Sequence, residues 1–359
     1  MADLPSSAGR RRRGYLDWLR GVAVLIMIEA HLLDSWTRSP DREAREFVWA
    51  IIAGGMGAPL FLFLAGVAVS MSAASKLRRS GNRTAAARAV TWRGLEIFGL
   101  AFLFRAQAWI LGQSSPRSLL KVDILNIMGP SIMAAAALWG LLTSSRGRSI
   151  AFALATLATA FLTPALRSAS AIVALPEPLE AYFRPVPGLS NFVFLPWAAF
   201  VFSGALVGIW IHDVQTPAAE ARLNVRLTVG GLALAVVALA LSYLPNPYLA
   251  SSFWTTSPAY FFMRVGIMVL AVGAAFAWEA RPGGPDTWSP LQQLGRTSLF
   301  IYWIHVEMVY GHISEPLHKA LTLRQAWLAF ALFALLMLAC SIGKDAWRGM
   351  RARQAAGAA

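Results

Sequence analysis

The chain has 359 residues, of which 57% are hydrophobic and 14% charged, with a mean hydropathy of +0.54 and a net charge of +14. Soluble domains carry about 25% charged residues, so this composition excludes a soluble globular protein and indicates a polytopic membrane protein. The basic excess does not indicate nucleic-acid binding, because the arginines lie in short loops between apolar segments, where membrane insertion accounts for them.

Apolar runs long enough to cross a bilayer recur about ten times along the chain. The predicted fold is therefore all-α, a polytopic integral membrane protein with about ten transmembrane helices. Five prolines between Pro164 and Pro187 predict an extended or partly re-entrant loop between the fifth and sixth runs. The runs lie near residues 15–36, 47–73, 90–111, 122–142, 148–163, 191–211, 226–244, 258–279, 295–312 and 325–343.

Lysine and arginine are unevenly distributed among the loops. With the N-terminus in the cytoplasm, the inner segments hold roughly twice as many basic residues as the outer loops. This asymmetry predicts cytoplasmic termini and a bacterial-type inner (plasma) membrane. It divides the chain into a basic cytoplasmic N-terminal segment (1–14), a transmembrane domain (15–343) and a basic cytoplasmic tail (344–359).

The first predicted helix carries ionisable side chains within an apolar sequence, and such groups mark function because they are costly at membrane depth. Arg20 and His31 are separated by almost a whole number of helical turns, so they share one face. The rise between them is about 16 Å. A cation therefore lies at the inner membrane surface and an imidazole in the outer half of the bilayer.

Other polar groups are predicted at the depth of His31. His305 lies about 14 Å above Arg296, and Arg105 about 18 Å above Arg93. Polar groups with purely structural roles would scatter in depth, so their convergence on one layer predicts a functional site. Six side chains from five helices make up this layer: His31, Arg105, Asp123, Asn126, Arg264 and His305.

This layer suits general acid–base chemistry. A histidine near carboxylates in a shielded cavity can deprotonate a hydroxyl or an amine, and an arginine can bind a carbonyl, phosphate or carboxylate. Ser298, Tyr302 and His305 share a helix face.

Trp197 is a candidate for lining the cavity. The roles of Glu29 and Glu307 stay open.

The sequence offers no convincing metal site and no phosphate-binding loop. Cys340 is the only cysteine, and no set of histidine and acidic residues has metal-ligand spacing. The glycine-rich stretch GGMGAP, Gly54 to Pro59, lies inside an apolar run, where close helix packing or a kink is the better explanation.

Several of these segments resemble a known family. RGYLDWLRGVAVLIMIEAHLL looks like the opening of membrane acyltransferases that acylate extracytoplasmic sugars, including the polysaccharide O-acyltransferase family, in which an arginine and a histidine recur at the spacing of Arg20 and His31. Four further motifs resemble more closely the bacterial relatives of heparan-α-glucosaminide N-acetyltransferase. They are GAPLFLFLAGVAVSM, VDILNIMGPS, FLPWAAFVFSGALVG and LGRTSLFIYWIH.

The resemblance implies an acyl-CoA donor, with acetyl-CoA as the expected one, on the cytoplasmic side and an acceptor, usually a glycan, on the outer side. It matches His31 to the essential histidine of the first helix, Arg20 to the preceding arginine, and His305 to a histidine in a late helix. Glu29, two positions before His31, departs from the expected pattern. This departure leaves the identity of the acceptor open.

We therefore expect an acyltransferase that moves an acyl group from acyl-CoA onto a sugar hydroxyl or amine. The expected partners are membrane lipid and the glycan or other small acceptor, with no nucleic acid and no metal, and a homodimer is left open. The alternative is a transporter that uses the same polar layer as a substrate or proton site. The expected roles are catalysis by His31, His305, Asp123 and Arg105, donor binding by Arg20, Arg78, Arg79 and Arg93, and acceptor binding by Asn126, Arg264, Tyr302 and Trp197.

Overall fold

A computed structural model describes residues 13–112, 115–248, 250–281 and 287–357. The basic run at residues 10–12 lies outside this part of the chain. The described residues form α-helices, short 3₁₀ segments and two isolated β-bridges, with no sheet. The α-helices are α1 (Gly14–Trp36), α2 (Arg45–Gly54), α3 (Gly57–Ser80), α4 (Arg83–Gly112), α5 (Ile124–Leu141), α6 (Ser145–Arg167), α7 (Ser170–Val173), α8 (Glu177–Phe183), α9 (Phe194–Asp213), α10 (Pro217–Leu241), α11 (Pro258–Glu279), α12 (Pro290–Arg296), α13 (Ser298–Tyr310) and α14 (Leu323–Gly357).

Seven helical segments in the described part of the chain are long and apolar enough to cross a membrane. The predicted all-α membrane fold is confirmed, whereas the count of ten spans stays a prediction. The three remaining predicted runs correspond to α1, α4 and the α12–α13 pair, which are more polar or interrupted. The seven segments are Arg45–Ser80, Ile124–Leu141, Ser145–Arg167, Phe194–Asp213, Pro217–Leu241, Pro258–Glu279 and Leu323–Arg351.

Two predicted helices are interrupted in the structure. The second run, predicted over 47–73 with close packing or a kink at Gly54 to Pro59, is interrupted between α2 and α3 at Gly55 and Met56. The ninth breaks between α12 and α13 at Thr297, whose backbone (φ −107°, ψ 13°) is not helical. The Thr297 hydroxyl lies 2.6 Å from the Ser341 hydroxyl of α14, so a side-chain contact holds this break in place.

The proline-rich connection also differs from the sequence expectation. It is not an extended loop, because α6 continues through Pro164 to Arg167 and the short helices α7 and α8 follow. Pro178 lies in the first turn of α8, where the missing N–H of proline has no helical partner to lose. Prolines therefore begin a helix here instead of preventing one.

The spanning helices alternate in direction, so the bundle has two distinct ends. At one end, called the proximal end here, Arg13 donates to Glu220 of α10 at 2.5 Å and the Ser145 hydroxyl contacts Asp213 at 3.2 Å. At the opposite, distal end, residue Thr37 after α1 bridges Leu321 before α14. Each element of the site can therefore be assigned to one end.

Helix α9 occupies the centre of the bundle. Within its most apolar stretch 72% of the residues are buried, against 28% for α6 and 22% each for α10 and α14, which form the periphery. The backbones of α3 and α9 touch, since a Cβ atom on Gly204 would lie 1.8 Å from the Phe63 carbonyl oxygen. Small residues at such crossings let membrane helices pack closely.

A polar contact at the distal end attaches α14 to the segment that follows α1. Asp41 lies in a 3₁₀ helix (Ser39–Glu43), and its carboxylate accepts the Leu323 N–H at 2.8 Å and the Arg38 Nε–H at 3.0 Å. The Leu323 N–H, followed by Arg38, lowers the pKa of Asp41. The charged carboxylate thereby caps the N-terminus of α14.

Candidate active site

The centre of the candidate site is a pair of histidines from α1 and α13. His31 Nδ1 lies 2.9 Å from His305 Nε2, and the two rings are nearly parallel, with centroids 5.2 Å apart and planes 3° apart. The two residues are 274 positions apart in the sequence. His305 is fully buried, whereas His31 is half-buried. The structure thus brings two predicted site residues into direct contact, with His31 on the accessible side.

The hydrogen bonds of the pair determine where the protons lie. His305 Nδ1 lies 2.9 Å from the Ile301 carbonyl oxygen, which can only accept, so Nδ1 carries a hydrogen. A fully buried charge needs a paired counter-charge, and the two ring contacts of His305 are a carbonyl and an imidazole, so this ring is neutral. Its Nε2 then accepts from His31 Nδ1–H, and His31 Nε2 keeps its lone pair.

Two tyrosines pack against the histidine pair. Tyr302 meets His305 edge to face with centroids 5.8 Å apart, and Tyr310 meets His31 in the same manner at 5.5 Å. Tyr302 is buried, whereas 43% of Tyr310 is exposed. Tyr310 therefore lies where a molecule from the distal side would reach His31. Tyr310 is a residue of the site that the sequence did not predict, because its contact with His31 joins two helices and depends on their lateral arrangement.

An ion pair from α4 and α5 lies near the histidines. Arg105 Nη2 donates to the Asp123 carboxylate, and the two side chains are 12% and 16% exposed. Asp123 also interacts electrostatically with His31 and Tyr302. A carboxylate neutralised by an arginine is a poor base, so this ion pair is better suited to acting on neighbouring groups through its charges than to taking protons itself.

Asp123 owes its position to a capping box at the start of α5. Its side chain accepts the Ile124 N–H at 2.8 Å, and the Asn126 side-chain oxygen accepts the Asp123 N–H at 3.0 Å. Asn126 is buried, and its amide nitrogen donates to the Tyr182 hydroxyl of α8 at 3.5 Å. Asn126 thus completes the capping box of α5, and its contact with Tyr182 links the site to α8.

Polar side chains of α4 and α13 continue the site beyond the ion pair. Trp303 Nε1 donates to Gln107 Oε1 at 2.7 Å, and Glu307 is hydrogen-bonded to the same glutamine and interacts with Arg105. Glu307, whose role was open, therefore belongs to the edge of this site. Gln107 was missed, although a glutamine two residues after Arg105 in an apolar helix is itself unusual.

Two predicted residues form a separate cluster at the distal end. The Arg264 guanidinium carbon lies 5.6 Å from the Trp197 ring centroid, 5.0 Å from that of Phe200 and 4.3 Å from that of Tyr260. The connection to the histidine site is indirect. Trp197 packs on Phe192, and the backbone beside Phe192 bonds to Val122, the residue before Asp123.

The four arginines predicted to bind the donor lie away from the histidines. Arg20 pairs with Asp17 at 2.9 Å on the proximal part of α1. Arg78 donates to His212 Nε2, Arg79 is exposed at the end of α3, and Arg93 pairs with Glu96 at 2.8 Å. The structure therefore separates a basic proximal end from a histidine site toward the distal end.

Possible metal ligands are dispersed. Across the described ranges, no group of three or more histidine, cysteine, aspartate or glutamate side chains is arranged to hold a metal ion. The chemistry available at the histidine pair is thus that of a neutral imidazole with a free Nε2, flanked by an arginine–carboxylate pair and two phenols.

Comparison with known proteins identifies the family. No curated protein is detectably similar in sequence. The sequence model described as heparan-alpha-glucosaminide N-acetyltransferase, catalytic, matches residues 12–244, which include Arg20, His31, Arg105 and Asp123. This match confirms the resemblance to the N-acetyltransferase relatives, whereas the link to the polysaccharide O-acyltransferases stays a resemblance. The chain, an all-helical membrane protein, belongs to the heparan-α-glucosaminide N-acetyltransferase family.

Proposed function

We propose that this protein is a transmembrane acyltransferase that moves an acyl group, in the first instance acetyl, from cytoplasmic acyl-CoA to an extracytoplasmic sugar hydroxyl or amine. The observation that carries the proposal is the His31–His305 pair, whose hydrogen bonds leave a lone pair on His31 Nε2 that can act as a base. Family membership supports the transferase over the transporter, which would use the same polar layer only as a binding site.

The basic proximal end is assigned to the donor. CoA carries several phosphate charges, and arginines bind phosphate through paired charge-assisted hydrogen bonds. Arg20 is partly exposed on the helix that carries His31, about 16 Å from it along the helix axis. A CoA whose phosphates contact Arg20, Arg78, Arg79 and Arg93 would extend its thioester arm along α1 toward the histidines.

The chemical step at His31 is a base-assisted transfer. The acceptor oxygen or nitrogen attacks the thioester carbonyl carbon, and its proton passes to His31 Nε2. The carbon–sulfur bond then breaks, its electron pair leaves on sulfur, and the CoA thiolate takes the proton back from His31. Asp123 and Arg105 orient the field at the reacting atoms. Asn126, Tyr302, Arg264 and Trp197 are assigned to the acceptor side.

A covalent route uses the same residues in a different order. His31 Nε2 would attack the thioester first and carry the acyl group until the acceptor arrives. We favour direct transfer, because a site that donor and acceptor reach from opposite sides permits a ternary complex. Acyl-CoA turnover without acceptor, with label on His31, would identify the covalent route instead.

The decisive experiment measures CoA release by purified protein with labelled acetyl-CoA and a panel of amino sugars and neutral sugars. Wild-type protein should release CoA and label an acceptor, whereas His31→Ala should lose at least ~100-fold in kcat while still binding CoA. Arg20→Ala should instead raise the Kd for CoA, and wild-type CoA binding should weaken as salt rises.

Two outcomes would contradict the proposal. Near-wild-type transfer by His31→Ala would remove His31 from the chemistry, and label transported without CoA release would identify a transporter. His312→Ala is the matched control, because this histidine is exposed and follows the end of α13. The proposed setting is a bacterial-type inner membrane, with membrane lipid and a glycan or other small acceptor as partners and with a homodimer as the assembly to test.

A further inference from the structure

Arg264 is a buried cation without a counter-charge. Only 6% of the residue is exposed, and its Nε–H has no hydrogen-bond partner. Within the described ranges it forms no ion pair with a carboxylate, and its electrostatic partner is the Tyr260 phenol. Burying a charge is costly unless it is paired, so a buried guanidinium that no described carboxylate pairs with is suited to binding an anion from outside the described part of the chain.

The aromatic rings around Arg264 fix the guanidinium beside the first turns of α9. Trp197 and Phe200 both belong to this helix, and their ring centroids lie 5.6 Å and 5.0 Å from the guanidinium carbon. Cation–π contacts stabilise the positive charge but leave its N–H groups available in the plane of the guanidinium. The arginine is therefore held in position while its buried Nε–H has no hydrogen-bond partner among the described residues.

A second arginine lies at the same helix start. Arg167, at the end of α6, donates from Nε at 3.2 Å and from Nη2 at 2.8 Å to the carbonyl of Leu195, two residues before Trp197. No carboxylate pairs with Arg167 in the described structure. The α9 N-terminus has no side-chain cap on Val193, and a helix N-terminus itself carries partial positive charge.

From this arrangement we propose that Arg264 and Arg167, at the N-terminus of α9, bind an anionic group of the acceptor, a phosphate or a carboxylate. Three positive features converge there, and one is a nine-tenths buried arginine with an unused donor. The cluster is linked indirectly to the histidine site, because Trp197 packs on Phe192 and the Phe192 N–H bonds to the carbonyl of Val122, the residue before Asp123. The assignment of this anion to the acceptor rests on the proposed function. Anion binding itself does not depend on acyl transfer.

The first test measures anion binding alone. Protein in a neutral detergent is melted with rising inorganic phosphate against chloride at constant ionic strength. Wild-type protein should show a saturable rise in the unfolding midpoint, and Arg264→Gln and Arg167→Gln should weaken the apparent phosphate affinity at least tenfold. Arg226→Gln removes an exposed arginine from α10 and should keep the wild-type response.

Arg264→Lys protects this test against a variant that fails to fold. It keeps a cation among the three rings but loses the planar donor set, so it should retain part of the phosphate response. A phosphate response that is equal in wild type, Arg264→Gln and Arg264→Lys would overturn the proposal. The same conclusion follows if phosphatidylglycerol in nanodiscs stabilises through Arg264 and inorganic phosphate does not, because the site would then hold a lipid headgroup.

The second test concerns the acceptor. Acetyl transfer to glucosamine 6-phosphate is compared with transfer to glucosamine, using CoA release as the readout. The ratio of their kcat/KM values should be at least tenfold in wild type and in Arg226→Gln and should fall toward one in Arg264→Gln. An unchanged ratio in Arg264→Gln would overturn the proposal. An Arg264-dependent phosphate response with no CoA release for any acceptor would support the anion site while contradicting the proposed function.

Discussion

His305 lies behind His31, with its ring fully buried and both nitrogens engaged by Ile301 and His31. It cannot reach a substrate without breaking one of these bonds. His305 can therefore affect the reaction only through His31, because the hydrogen bond between them determines which nitrogen of His31 carries the hydrogen. The proposed reaction therefore assigns His305 a positioning role and His31 the contact with the reacting atoms.

This division predicts different outcomes for the two histidines. His305→Ala removes the acceptor for His31 Nδ1–H, so the tautomer of His31 should no longer be fixed and kcat should fall roughly tenfold, the effect of about one hydrogen bond. Histidine ¹⁵N NMR should show a hydrogen on His31 Nδ1 in wild type and a mixture of tautomers in the variant. An unchanged tautomer together with an unchanged kcat would exclude this role.

The sequence predicted part of the site well and part of it poorly. Helical rise alone placed His31 and His305 in one layer, because both helices cross the membrane and share its depth scale. It could not predict that Arg264 is in a separate aromatic cluster, since lateral position depends on which helices are neighbours. Tyr310 escaped notice for the same reason, as its contact with His31 joins two helices.

Among the helices, α5 depends on Asp123 for two separate contributions, the N-cap and the ion pair with Arg105. Asp123→Asn preserves a good capping residue but removes the charge, so it should destabilise the protein by about 1 to 3 kcal/mol because Arg105 loses its partner. Asp123→Ala removes the cap as well and should cost about 1 kcal/mol more.

Thermal unfolding in detergent measures both effects. Ser144→Ala is a matched control, because Ser144 caps α6 through the Gly147 N–H at 3.1 Å and belongs to the proximal end. It should cost about 1 kcal/mol without reducing acyl transfer. Equal unfolding midpoints for Asp123→Asn and Asp123→Ala would mean that the cap contributes nothing to α5.

The cap of α14 makes one element sensitive to acid. Asp41 has a lowered pKa in the folded protein, mainly through the Leu323 N–H, so its contribution to stability is complete above the ordinary pKa of about 3.9. The contribution is lost as pH falls through the lower, folded pKa. Melting at pH 7 and at pH 3 should show a larger decrease for wild type than for Asp41→Asn. Equal decreases would show that Asp41 does not contribute.

At the level of the whole molecule, the sequence-based prediction was least accurate for the two apolar runs that the structure divides into two helices each. Gly54 and Gly55 indicated a kink, and the structure has a complete break between α2 and α3 there. The break at Thr297 had no sequence signal, because it depends on Ser341 from a helix far along the chain. Four helix ends differ from their apolar runs by seven residues or more. α4 begins at Arg83 and not near residue 90, and α10 begins at Pro217 and not near residue 226. α3 extends to Ser80, beyond the predicted end near residue 73, and α14 extends beyond the predicted end near residue 343.

The topology can be tested directly. Pro40 lies at the distal end, in the 3₁₀ segment after α1, and Gly81 lies at the proximal end, after α3. Reporter fusions at these two positions should report opposite sides of the membrane, with Gly81 cytoplasmic, because the basic residues concentrate at its end. The same side for both fusions would mean that α2 and α3 together do not cross, and the depth of His31 would have to be reassigned.

The separation of His31 and His305 along the chain also has a consequence for biosynthesis. At about 5 to 20 residues per second, the ribosome adds the 274 residues between them in roughly 14 to 55 seconds. During that interval α1 has entered the membrane without the helix that completes its site, and a chain released early carries Arg20 and His31 but no partner imidazole. In the proposed reaction catalytic competence is therefore acquired only near the end of translation, and truncated products that lack α13 should be inactive even where they insert.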